Sequence, residues 1–138
     1  LNVFGVPRAF DLFAPAIDGL EGADYEQSLA LLNSISHMRG TAEEARGWER
    51  TAVAGREVAQ AGLGHLPLDV FVAGDWPEEM LPSWTEMQTE LSQLSSNGQY
   101  YLVAEANHPQ IGMSDRYIPL VAAAVRRRAA ELIPDQAQ

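Results

Sequence analysis

The sequence predicts an α/β fold in which parallel core strands are flanked by helices. Two observations carry this reading. The runs Val70–Ala73 and Tyr100–Ala104 are short, apolar on both alternating faces and rich in β-branched or aromatic residues. That is the pattern of a strand covered on both sides, as in a parallel sheet. Between them lies an amphipathic stretch long enough for a helix of about four turns, which returns the chain to the start of a second strand parallel to the first.

The totals set outer limits. The chain has 138 residues, the size of one ordinary domain, with 46% apolar and 20% charged residues. Its formal net charge of −10 argues against a nucleic-acid partner, which would need a basic face. The one dense basic run, Arg126-Arg127-Arg128, reads as the solvated stripe of a helix. The acidic balance favours a soluble chain; the sequence leaves the compartment open, with the cytoplasm slightly favoured. There is no cysteine, so disulfides and thiol catalysis are excluded. No apolar stretch approaches the ~20 residues of a membrane span, and no signal peptide is evident. The first residue is Leu1, which suggests a processed or trimmed start, or the continuation of an earlier segment.

The elements follow in order. Residues 1–20 are apolar but interrupted by Gly5, Pro7, Pro15 and Gly19, with room for a helical turn around Ala9 to Phe13. Asp24 is placed to cap a first helix, with Gln27 at the capping-box position and Gly40 as its stop. Thr41 and Glu44 form a second capping box, opening a helix towards Ala61 that Gly62 and Gly64 end. This alanine-rich helix is expected to pack closely on a neighbour. Leu66-Pro67-Leu68 leads into the first strand, and Gly74-Asp75-Trp76-Pro77 breaks it. Ser83 and Glu86 make a third capping box. Trp84, Met87, Leu91 and Leu94 then fall on one helical face, and Asn97-Gly98 closes the helix. After the second strand, Glu105 to His108 form its exit, followed by a loop containing Gly112 and Ser114. Ile118-Pro119 opens a last helix that Pro134 ends. Two parallel strands are too few for a stable sheet with both faces covered, so further strands are expected from elsewhere.

Several residues attract attention without reference to any family. His108 follows a buried strand directly, in a loop position where a rigid scaffold can hold a general base. Asp75 occupies the equivalent place after the first strand, as a candidate acid or a simple turn former. His37 and His65 have no partner at metal-ligand spacing and read as helix-end and turn residues, so no metal is implied. Asp69 reads as a strand-entry residue.

From Leu66 to about Ala130 the chain resembles the C-terminal portion of an α/β-hydrolase. The features that carry the resemblance are Leu66-Pro67-Leu68, Gly74-Asp75, Trp84 with Gln88-Thr89-Glu90-Leu91, the turn Leu94-Ser95-Ser96-Asn97-Gly98, then His108, Pro119 and Val121. Ser34 to Ala61 is similar to the helix before the penultimate strand. The resemblance implies a lid or cap segment at 1–40 and part of the core at 41–138. It implies that His108 is the catalytic histidine and that Asp75, Glu78 or an acid upstream orients it. It also implies an apolar substrate pocket to which Phe4, Phe10, Phe13 and Trp76 contribute. Where the family usually has glycine before the histidine, this chain has Asn107, a residue that tolerates the left-handed conformation. The stretch from His108 to Pro119 is longer than usual.

The family's nucleophile elbow, G-x-S-x-G, is absent from the sequence. The resemblance therefore implies a partner, the N-terminal half of a hydrolase carrying the nucleophile, and a small-molecule ester or related acyl substrate, with no cofactor. An aspartate nucleophile there would make a dehalogenase or epoxide hydrolase instead. The reading from another class is a non-catalytic helical binding domain.

Overall fold

The computed structural model describes residues 9–133, and the chain divides into two compact units, Leu1–Ala61 and Gly62–Gln138. The fold is mixed α/β, with five α-helices and one two-stranded parallel sheet among the described residues. Phe4 and Pro134 lie outside the described residues.

In the first unit, a turn at Phe10–Phe13 leads into a 3-10 helix, Ala14–Ile17, with Pro15 in its first turn. Helix α1 spans Gly22–Leu32 and helix α2 spans Ile35–Ala61. The expected division at Gly40 is not where the chain breaks. The break falls at Asn33-Ser34, for reasons visible in the hydrogen bonds. Asn33 donates from Nδ2 to the Leu29 carbonyl at 2.9 Å, closing α1. Ser34 Oγ accepts from the His37 N–H at 3.1 Å, satisfying a free donor at the start of α2. Gly40 is simply carried inside α2, at a cost of about 1 kcal/mol relative to alanine. Thr41 is a helix-interior residue, its Oγ1 donating to the His37 carbonyl at 3.1 Å. Asp24 sits in the first turn of α1, where its charge complements the helix dipole, and Glu21 is the N-cap.

The expected close packing of the alanine-rich helix is also corrected. No residue of α2 is buried, and Trp48, Val53 and Val58 are exposed. Ile17 is the buried apolar side chain among this unit's described residues.

The second unit holds the sheet. Strand β1, Leu68–Ala73, and strand β2, Gly98–Val103, pair in parallel from Leu68 opposite Gly98 to Ala73 opposite Val103. Helix α3, Leu81–Ser92, forms the crossover and packs against both strands. It begins two residues before the anticipated Ser83, because Pro82 fits the first turn, where a missing N–H costs nothing. Asn97-Gly98 opens β2; α3 has already ended at Ser92. Gly98 is required there. A Cβ at this position would stand 1.8 Å from the Ser92 carbonyl oxygen.

The amino ends of the strands are joined by their loops. Leu63 N–H donates to the Leu94 carbonyl at 2.6 Å, Ser96 N–H to Gly64 at 2.8 Å and Leu68 N–H to Asn97 at 3.3 Å. Buried Ser95 adds a hydroxyl bond to the Leu66 carbonyl and accepts from the Asn97 N–H.

Two helices complete the unit: α4, His108–Met113, and α5, Ile118–Leu132. Ala73, Val103, Ala106 and Ile111 form the buried core cluster, with Phe71, Trp76, Tyr117 and Val121 packed on it. The arginine run at 126–128 is corrected in part. Arg128 is turned inward, with a side chain only 13% exposed. It bonds Asp69 at 2.7 Å, Asn97 Oδ1 at 2.9 Å and Glu131 at 2.9 Å. Those carboxylate hydrogen bonds, Asp69 first and Glu131 second, raise the guanidinium above its ordinary value. Arg127 adds bonds to Asp69 at 2.9 Å and to the Tyr101 hydroxyl at 2.6 Å. Asp69 therefore ties the entry of β1 to α5.

Candidate functional site at the carboxyl ends of the strands

Open parallel sheets place their ligand sites beyond the carboxyl ends of their strands, where successive chain segments diverge. In this unit the two exits run side by side. Gly74 N–H donates to the Val103 carbonyl at 3.0 Å, and Asp75 N–H donates to the Ala106 carbonyl at 3.1 Å. The approach is close enough to exclude a side chain at position 74, since a Cβ there would lie 2.6 Å from Ala104 Cα. These contacts hold Asp75 and His108 at one end of the sheet on backbone that is bonded across the strands.

His108 does not sit in a loop, as the sequence suggested. It is the first residue of α4. Asn107 is the N-cap, accepting from the Gln110 N–H at 3.1 Å, while Gln110 Oε1 accepts from the Asn107 N–H at 3.2 Å. Pro109 occupies the first turn. The left-handed turn anticipated for Asn107 is corrected: its φ of −81° and ψ of 171° are extended. The signal was present in the sequence as an asparagine with glutamine three residues later and a proline between.

The imidazole of His108 is exposed and meets the Trp84 ring edge-to-face, with centroids 6.4 Å apart. Trp84 in turn lies against Trp76, centroids 4.7 Å apart, and its Nε1–H donates to the Ala73 carbonyl at 3.2 Å. The three rings span the exits of both strands. Trp84 was expected only as an inward-facing helix residue. Its spacing from the strand end gave no sign of the contact with His108.

Asp75 and Glu78 are exposed. Among the described residues, no hydrogen bond or ion pair joins either carboxylate to His108. Trp76 is half-buried, and its Nε1 is buried without a hydrogen-bond partner among the described residues. Phe10 and Phe13 belong to the first unit. Phe10 is 72% exposed, and Phe13 contacts His37 edge-to-face at 6.1 Å. His65 bonds Ser96 Oγ at 3.1 Å, at the amino ends of the strands and so opposite His108. Among the described residues, no group of three or more potential ligands is placed to hold a metal. No described helix is long and apolar enough to cross a membrane.

No family model, curated protein or solved structure matches the chain.

Proposed function

We propose that this chain supplies the catalytic histidine of a serine hydrolase of the α/β class, acting on an ester or related acyl substrate, with the nucleophile carried by another segment. The observation that carries the reading is the bonded pair of parallel strand exits, one offering Asp75 and the next, one crossover later, offering His108. The order of strand, helix, strand and histidine is that of the last part of such an enzyme. His108 is exposed and makes no side-chain hydrogen bond among the described residues, which leaves its ring nitrogens unengaged by this chain. Catalytic hydrogen bonds are commonly long or unformed before substrate and partner groups are in place.

In the reaction, His108 takes the proton of the attacking hydroxyl and returns it to the leaving group. Asp75 is the acid that orients the imidazole. Trp76 borders the acyl site with its half-buried ring. Residues 1–40, with Phe10 and Phe13, are the lid segment of this reading. The sequence has no G-x-S-x-G, and the two-stranded sheet is smaller than a self-sufficient parallel sheet. Both point to a partner segment that brings strands and nucleophile together.

The test is ester turnover by the assembly isolated from its source through this chain. An activated ester should give a burst of product followed by a slower steady rate, the sign of an acyl-enzyme. His108→Ala should lower kcat by on the order of 10⁴-fold or more while the fold is kept. Equal turnover by the wild-type and substituted assemblies would sink the proposal.

A further inference from the structure

We infer that Trp84 is a positioning residue for the His108 imidazole. The inference rests on the hydrolase reading for its catalytic consequence, but the contact is a property of the chain alone. An exposed imidazole with no hydrogen bond of its own samples several rotamers. His108 is in that situation except on one side, where the Trp84 ring stands edge-to-face at 6.4 Å. That separation and geometry are within the favourable range for aromatic pairs.

Trp84 can serve as a wall because it is itself held from two directions. Its Nε1–H is bonded to the Ala73 carbonyl, the last residue of β1, at 3.2 Å. The Trp76 ring lies 4.7 Å away. The indole thus transmits the position of the β1 exit, where Asp75 begins, to the ring at the β2 exit. An aromatic wall also leaves both imidazole nitrogens unengaged, which a hydrogen-bonding neighbour would not. A general base of this kind needs both: one nitrogen for the proton of the attacking hydroxyl and one for the acid.

Two measurements decide the inference. The first is proton NMR of the full chain. His108 ring resonances should be displaced by the Trp84 ring current and show cross-relaxation with the indole. The displacement should collapse in Trp84→Leu and persist in part in Trp84→Phe, which keeps a ring but loses the bond to Ala73. His37 and His65 should be unmoved in both. His108 resonances that match in wild type and both variants overturn the inference, and so does the absence of cross-relaxation in the wild type, which needs no variant to fold.

The second measurement is turnover by the assembly. Trp84→Leu should lower kcat roughly 10- to 100-fold with KM little changed, and Trp84→Phe should recover most of the loss. A lost ring-current shift with kcat intact also overturns the positioning role. If the wild-type assembly itself turns over no ester, the hydrolase reading fails, and the NMR result still decides whether Trp84 holds the ring.

Discussion

At the scale of single residues, the account turns on how few atoms separate the two strand exits. A Cβ at position 74 would stand 2.6 Å from Ala104 Cα, so Gly74→Ala must push apart the exits that carry Asp75 and His108. The expected result is a fall in kcat of the assembly of roughly 100-fold, since displacements near 1 Å cost about that much. Steady-state kinetics with circular dichroism to confirm folding would check it. Unchanged kcat in a folded variant would remove the exit geometry from the mechanism. The placement of Asp75 and His108 beyond the two strands was legible in the sequence because strand ends are readable from apolar runs, although β2, expected to be covered on both faces, buries only Val103. The partners of individual side chains were not. Arg128 looked like part of a solvated stripe because helical spacing says nothing about which basic residue meets a carboxylate on a strand 59 residues away. Asp69 receives both Arg127 and Arg128, whereas Glu131 lies on the same helix as those arginines. Asp69→Ala should therefore lower the melting temperature more than Glu131→Ala does, and thermal unfolding of the two variants compares them directly.

At the scale of elements, the strands and the start of the crossover helix were anticipated within about two residues, from short apolar runs and an amphipathic stretch, whereas the helix ends at Ser92 and not at Asn97-Gly98. Helix boundaries were read less well. Asp24, Thr41 and Ser83 each have Glu or Gln three residues on, the capping-box pattern, yet α1, α2 and α3 start elsewhere. The motif is short and occurs inside helices as readily as at their ends. Helix α2 starts where the Ser34 hydroxyl accepts a free N–H and α3 where Pro82 removes one, while α1 starts after Glu21 with neither device. The one box that does form, at Asn107 and Gln110, fixes the start of α4 and with it the backbone of His108. Asn107→Ala should destabilise the chain by about 1 kcal/mol. Gly98→Ala, which drives a Cβ into the Ser92 carbonyl, should cost about 3 kcal/mol or more. Urea denaturation measures both, and a Gly98→Ala variant as stable as wild type would contradict the described turn from α3 into β2.

At the scale of the whole molecule, the parallel pairing, the helical crossover and the mixed α/β class were legible. They follow from chain order and from the length of the connection. The size of the sheet was not, because a local apolar pattern marks a strand and does not say how many neighbours it pairs with. Within the described residues, Val72 is the largest side chain buried to below 2% exposure, and Leu102 on the neighbouring strand is 53% exposed. A two-stranded parallel sheet with so small a core has little to sustain it alone. The chain by itself should turn over no ester, and its urea midpoint should rise when the nucleophile-bearing segment is bound.

The central claim is that His108 activates a serine brought to it by another segment. Its most direct measure is the rate at which a fluorophosphonate modifies a serine in the assembly isolated through this chain. The account predicts stoichiometric, time-dependent labelling of one serine outside residues 1–138, slowed at least 10³-fold by His108→Ala. Labelling at the same rate with and without the imidazole, or no labelling of a folded assembly, would contradict it.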